Sequence, residues 1–345
     1  MNIQKDRLLS PLPPINPGKD TSEWEVRRGE ILSEIVDFEY GGFPPKPQSI
    51  RVEDLQSPVT DFSIKVYINE TFNFMMKIFK PKELEAGKKY PIILTGDGCF
   101  RYCNETVINN AIDRGFLVAV FNRVEFAKDI ADGGRTGGIY DMYPGEKFGA
   151  ISAWAWGYSR AMDALETLPY VDAEKVAITG HSRGGKTVLL AGALDTRFSV
   201  VNPNDSGCGG CGCFRYRTEP KGELRGNERL SEILENFPYW FGEKLREYIG
   251  RDEFLPFDQH FLKAAVAPRK LLETNGREDT WANPKGSYIT YEAAKEVFDL
   301  LGVPDNIAYR IREGGHAHTP EDFNALFAFI EDVKAVTDGY DVTPF

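Results

Sequence analysis

A serine, two histidines and two aspartates stand at spacings that could support nucleophilic catalysis. Ser182 lies in Gly180-His181-Ser182-Arg183-Gly184, between a β-rich run, Lys175 to Thr179, and an apolar helical pattern, Lys186 to Leu194. Strand, G-x-S-x-G and helix in that order predict a nucleophile elbow, a strained turn that pushes a hydroxyl out above a sheet. Glycines flank the serine because side chains there would collide as strand and helix close together. The alternative is a structural glycine turn, so the remaining parts of a serine hydrolase must be sought elsewhere.

A serine hydroxyl becomes a useful nucleophile only beside a base, and imidazole is the usual one near neutral pH. The chain has four histidines. His181 sits within the elbow, where its ring points away from the reacting side. His260 ends the loop Leu255-Pro256-Phe257-Asp258-Gln259-His260, where a structural hydrogen bond is expected. His316 and His318 lie in Gly314-Gly315-His316-Ala317-His318, between the last predicted strand and the last predicted helix. The chain order Ser…Asp/Glu…His puts the base there. His316, next to the glycine pair, is the expected base, with His318 second.

Two acids compete to orient that ring. Asp205 follows the strand after the elbow helix, and Asp279 lies in Gly276-Arg277-Glu278-Asp279-Thr280-Trp281, after the following strand. Both sit beyond carboxyl ends of strands, where a carboxylate can stabilise an imidazolium. A lone aspartate in a turn is commonly a cap, and the choice between the two stays open, as does a shared role. For the oxyanion, the backbone N–H of Arg183 is one expected donor and its guanidinium another. The turn Gly96-Asp97-Gly98-Cys99 is the expected source of a further backbone N–H.

The elements needed to hold these groups alternate along the chain. A hairpin is expected from Phe62 to Asn69 and Phe72 to Phe79, then buried strands at Tyr90 to Thr95 and Phe116 to Phe121, with a helix from Thr106 to Asp113 between them. A helix from Ser152 to Leu168, the elbow, a strand from Phe198 to Val201, and strand–helix pairs at Arg269 to Thr274, Tyr288 to Leu301, Ile307 to Ile311 and Pro320 to Val333 complete the pattern. This predicts an α/β protein with a mostly parallel twisted sheet covered by helices on both faces. Residues 1–48, proline-rich at both ends around a helical stretch from Trp24 to Ile35, read as an arm packed on a single main domain, 49–345. Residues 214–260, rich in charge and aromatics, read as an insertion above the strand ends, where binding loops belong.

The 345 residues carry a net charge of −11, which argues against nucleic acid and anionic membranes as partners. No run approaches the roughly 20 apolar residues of a membrane span. The first residues lack the apolar core of a secretory signal, and the five cysteines suit reduced thiols. A cytoplasmic location is therefore expected, or a secreted one if a signal has been removed. Cys208, Cys211 and Cys213 resemble half of a zinc or redox site without a second ligand pair, so small residues lining a tight glycine loop are expected instead, and neither metal nor cofactor.

The same residues carry a resemblance. His181-Ser182-Arg183-Gly184-Gly185-Lys186, Ala191 to Phe198 and Ser206-Gly207-Cys208-Gly209-Gly210 resemble the core of glucuronoyl esterases, carbohydrate esterase family 15. Trp154-Ala155-Trp156-Gly157, Phe237 to Phe241, Leu255 to His260, Ala267-Pro268-Arg269, Asp279 to Pro284 and Gly314 to His318 extend it in order over about residues 90 to 330. The resemblance implies an α/β-hydrolase cleaving esters between 4-O-methyl-glucuronate on xylan and a lignin alcohol. It implies Ser182 as nucleophile, Arg183 as oxyanion arginine, Lys186 as a contact to sugar hydroxyls, Trp281 lining the sugar site and His316 as base. Members often carry Glu at the position of Asp205, and a shorter acid there reaches less far, which favours Asp279. The expected substrate is a glucuronoxylan-derived oligosaccharide ester. An acetyl xylan deacetylase and a non-catalytic carbohydrate-binding homologue are the alternatives.

Overall fold

The computed structural model describes residues 7–55, 62–131, 135–220, 222 and 225–332. In chain order its strands are β1 (Arg7–Leu8), β2 (Arg51–Asp54), β3 (Ile64–Tyr67), β4 (Asn73–Phe79), β5 (Tyr90–Thr95), β6 (Leu117–Phe121), β7 (Val171–His181), β8 (Val200–Asn204), β9 (Tyr216–Arg217), β10 (Lys270–Gly276) and β11 (Ile307–Arg312). The α-helices are α1 (Thr21–Phe38), α2 (Glu105–Asp113), α3 (Ala150–Leu165), α4 (Arg183–Leu194), α5 (Leu230–Asn236), α6 (His260–Ala264), α7 (Pro284–Leu300) and α8 (Pro320–Ile330). The expected end of the last helix at Val333 lies outside the described residues.

Nine strands form one sheet in the order β11-β10-β8-β7-β5-β6-β4-β3-β2, and β1 pairs with β9 in a separate ribbon. From β11 to β6 all neighbours are parallel, whereas β4, β3 and β2 join antiparallel. Sequence explains the division. In β4, Phe74, Met76 and Ile78 face inward on alternate residues, the signature of a sheet with one wet face. β6 reads Leu-Val-Ala-Val-Phe and is buried almost throughout, as a strand covered on both faces must be. The strand β2, too short and too charged (Arg-Val-Glu-Asp) to signal itself, is held by four pairs to β3.

Helix α3 fills the layer beside the elbow, with every residue except Asp163 buried. Its small residues permit this depth. A Cβ on Gly157 would stand 2.9 Å from the Phe126 ring. Helix α1 begins on Asp20, whose carboxylate accepts from Glu23 N, the capping interaction that satisfies a first-turn N–H. It buries Trp24, Ile31 and Ile35, and Arg28 donates to the carbonyls of Ala193 at 2.6 Å and Ala265 at 2.8 Å. Those carbonyls end α4 and follow α6, where helix C-termini favour a cation. None of the described helices is long and apolar enough to cross a membrane.

Candidate active site

Strand β7 runs into Ser182, whose backbone adopts φ 56° and ψ −118° before α4 starts at Arg183. A positive φ at a non-glycine residue is strained, and the surroundings enforce it. Ser182 N donates to Asn204 O at 2.9 Å, and Lys186 N donates back to Ser182 O at 3.0 Å. The flanking glycines are required by close approach. A Cβ on Gly180 would lie 2.5 Å from Gly184 O, and one on Gly184 would lie 2.4 Å from Asp97 Oδ1.

Asp97 is the floor of the elbow. Its carboxylate accepts from His181 N at 2.8 Å and pairs with Arg123, both side chains being essentially buried. Burial raises its pKa against the pull of Arg123. This narrows one expectation, since three of the four amides of Gly96-Asp97-Gly98-Cys99 are already engaged. In the turn after β5, Gly96 N donates to Tyr158 Oη at 2.6 Å, Asp97 N to Thr95 Oγ1 at 3.2 Å and Gly98 N to Phe121 O at 3.0 Å. These N–H groups are spent on the scaffold, so the turn supports the elbow from below and those three amides do not serve an oxyanion. The N–H groups opening α4, which helical geometry leaves without carbonyl partners, are the donors beside Ser182.

The histidines separate cleanly. His316 lies on the exposed loop after β11, its side chain 43% accessible, with Nδ1 2.5 Å from Asp279 Oδ2. The other oxygen of Asp279 accepts from Ala282 N at 3.3 Å, which fixes the carboxylate. The ring of His316 packs 4.4 Å from that of His181, so the elbow histidine does not point away from the side of the expected base as its position in the turn suggested; its Nδ1 is held by Asn204 Oδ1 at 2.5 Å. His318, the second expected base, is buried and stacked on Phe323 at 4.1 Å. It does not reach either acid. His260 bonds Pro13 O at 2.9 Å, the structural role expected of it.

Asp205 occupies a different position from Asp279. It follows β8 with φ 41°, and its carboxylate gathers Gly276 N at 2.7 Å, Arg312 Nη2 at 3.1 Å and Ala317 N at 3.3 Å. It therefore ties the ends of β8, β10 and β11 together. Burial and the nearby Asp279 charge push its carboxyl up to about 7, against those donors. The sequence reading missed Arg312. Its guanidinium also binds Asp322 at 2.9 Å and Gly315 O at 3.1 Å. The loops of Asp279 and His316 are further joined by Arg277 N to Arg312 O and Glu278 N to Gly314 O. Asp205, Asp279 and His316 are the one group of three possible metal ligands among the described residues. All three are already hydrogen-bonded, and Arg312 puts a positive charge within the set, which disfavours a cation.

Arg183, Lys186 and an aromatic wall from the segment 214–260 border the serine. Phe237 and Trp240 stack at 3.8 Å, and Arg183 lies over both rings, 5.2 and 4.8 Å from their centroids. Lys186 is buried, donates to Ser206 O at 2.5 Å and sits 5.8 Å from the Trp240 ring. Burial lowers its pKa, opposed by the charge of Glu228. Glu228, also buried, is a second residue the sequence reading missed; its N–H donates to Trp281 O at 3.0 Å, so the two residues form one edge. Trp281 is half-buried, with Arg225 5.6 Å from its ring.

The cysteines lie behind this wall. Cys208, Cys211 and Cys213 are free, buried, and raised in pKa chiefly by desolvation. The loop between them is tight, since a Cβ on Gly209 would meet the Phe241 ring at 2.4 Å and one on Gly210 would meet Ser206 Cβ at 2.7 Å. Ser206 Oγ accepts from Cys211 N at 2.8 Å.

The buried histidines set an acid limit on stability. Desolvation lowers His181 and His318 to about 3 and His260 to about 4. Between those values and the ordinary value of about 6.5 the unfolded chain binds protons that the native one refuses. Their contribution is complete above about pH 6.5 and lost as pH falls through that window. The raised carboxyls of Glu39, Glu125 and Asp205 act in the opposite sense over the same window, so the histidine contribution is read by difference in urea unfolding. Between pH 6.5 and 4.5, His318→Phe should change the slope of stability against pH by up to about 1.4 kcal/mol per pH unit, in the direction that favours the acid side. An unaltered slope in that variant would contradict the assignment.

Comparison with known proteins places this geometry. A family model described as fungal glucuronyl esterase matches residues 64–302. The 4-O-methyl-glucuronoyl methylesterase 1 of Wolfiporia cocos is 31% identical over 323 residues, covering 90% of this chain and 76% of that protein. A carbohydrate esterase family 15 glucuronoyl esterase from Caldicellulosiruptor kristjansonii superposes with TM-score 0.82 at 32% identity, over 96% of this chain and 92% of the other. The glucuronoyl esterase catalytic domain from Hypocrea jecorina gives 0.78 at 26% identity, over 96% and 91%.

Proposed function

Since the chain belongs to the glucuronoyl esterase family and is a carboxylic ester hydrolase of the α/β-hydrolase fold, we propose that Ser182, His316 and Asp279 hydrolyse a glucuronate ester through an acyl-enzyme. The observation that carries this reading is the 2.5 Å bond from His316 Nδ1 to Asp279. It holds the ring beside the elbow in the tautomer that leaves Nε2 as an acceptor.

Ser182 Oγ attacks the ester carbonyl as His316 Nε2 takes its proton, and Asp279 stabilises the imidazolium. The oxyanion that forms is held by the backbone N–H of Arg183 and by its guanidinium. Collapse breaks the bond to the alcohol oxygen, which receives the proton from His316, and leaves the uronoyl group on Ser182. Water then attacks with His316 again as base, and expulsion of Ser182 releases the uronate. Lys186 and Glu228, buried and of opposite charge, supply donor and acceptor for sugar hydroxyls, and Trp281 offers a flat apolar edge to a pyranose ring. The substrate class on this reading is an oligosaccharide ester derived from glucuronoxylan.

A panel of benzyl glucuronate, acetylated xylo-oligosaccharide and simple acyl esters tests the substrate. Hydrolysis of benzyl glucuronate should exceed that of the acetyl esters in kcat/KM. A reversed order would favour an acetyl esterase, and a folded protein inert to all of them and to fluorophosphonates would favour a binding role.

A further inference from the structure

Asp129, 54 residues upstream of the elbow arginine, is absorbed by none of the chemistry above. Its Oδ2 accepts from Arg183 Nη1 at 2.8 Å. Its Oδ1 accepts from Tyr239 Oη at 2.9 Å and Trp240 Nε1 at 3.0 Å. The carboxylate is thus fully engaged, its side chain 11% accessible, and it gathers the arginine and the aromatic wall onto one anchor. Among the described residues the other N–H groups of Arg183 have no protein acceptor, and its guanidinium carbon lies beside the stacked pair of Phe237 and Trp240, 5.2 and 4.8 Å from their centroids.

We propose that Asp129 is a positioning residue for the esterase reaction, holding the Arg183 guanidinium on one edge so that the opposite edge meets the oxyanion. A free arginine has many rotamers and would lose that freedom as the transition state forms. Donors aimed beforehand cost no reorganisation at the reacting moment. The ion pair fixes one end of the guanidinium, the Phe237–Trp240 stack bounds it on one side, and the Tyr239 and Trp240 bonds fix the carboxylate that does the fixing. The pair also offsets the arginine charge, which suits a site whose substrate ester is neutral and whose product is an anion. This inference rests on the oxyanion role given to Arg183.

The test is a double-mutant cycle on kcat and KM with benzyl glucuronate, using Asp129→Asn, Arg183→Gln and the pair. Asp129→Asn should lower kcat 10- to 100-fold with KM changed less than threefold. In the Arg183→Gln background the same change should cost less than twofold, since a residue acting through another has nothing left to position. Tyr239→Phe, which removes one tether of the carboxylate, should show a smaller loss of kcat that also vanishes in that background, and it serves if Asp129→Asn fails to fold. Equal losses in both backgrounds would make Asp129 a structural support and overturn the proposal. An Arg183→Gln enzyme that is impaired while Asp129→Asn is not would overturn the positioning role alone. A fully active Arg183→Gln enzyme would overturn the oxyanion role and this inference with it.

Discussion

Replacing Ser182 with alanine should lower kcat on a glucuronate ester by roughly 10⁵- to 10⁶-fold, the scale expected when the nucleophile of a serine hydrolase is removed. The residual rate should still exceed that in water, because the donors opening α4 and the Arg183 guanidinium remain in place. Stability should hardly move. Ser182 is only half-buried, and its strained φ of 56° is imposed by the Asn204 and Lys186 backbone bonds, which alanine keeps. An unfolding midpoint within about 0.5 kcal/mol of the parent is expected, as for a substitution that leaves core and network intact. Labelling by a fluorophosphonate should disappear with the activity. Retention of label in a folded Ser182→Ala protein would place the nucleophile elsewhere.

The second large effect separates the two acids. Asp279→Asn keeps the shape of the side chain but loses the charge and favours the wrong tautomer of His316, so kcat should fall about 10³- to 10⁴-fold. Asp205→Asn should lower kcat less than tenfold, since Asp205 touches the histidine loop through Ala317 N and Arg312 rather than through the ring. It should instead cost about 1–3 kcal/mol of stability, because a buried acceptor of three donors is damaged. Measured side by side, the pair should show activity and stability losses in opposite proportion. A larger kcat loss for Asp205→Asn would reverse the assignment of acid and scaffold.

Local signals made the elbow and the His316 loop readable in the chain. Strand, glycine pair and helix are neighbours there, and the collisions that demand Gly180 and Gly184 arise within a few residues. The helices and inner strands were legible for the same reason. Asp205 and Asp279 both read as acids beyond strand ends, and local pattern could not rank them. Their difference is created by Arg312, 107 residues from Asp205, and by the backbone bonds between the two outer loops. Asp129 and Glu228 gave no signal, since each is one acid among 52 acidic residues until the fold sets it against Arg183 or Lys186. The turn after β5 misled because its glycines suggest free amides, while the structure spends them on Tyr158 and Phe121.

The bonds that join the Asp279 and His316 loops, with Arg312 and Asp205 beneath them, bear on when the site comes into being. Asp279 and His316 are brought together by the same contacts that close the sheet at β8, β10 and β11. The two loops are bonded directly to each other, so the pair stands formed before any ester arrives. The bond between Asp279 and His316 is as old as the fold of each molecule and lasts as long.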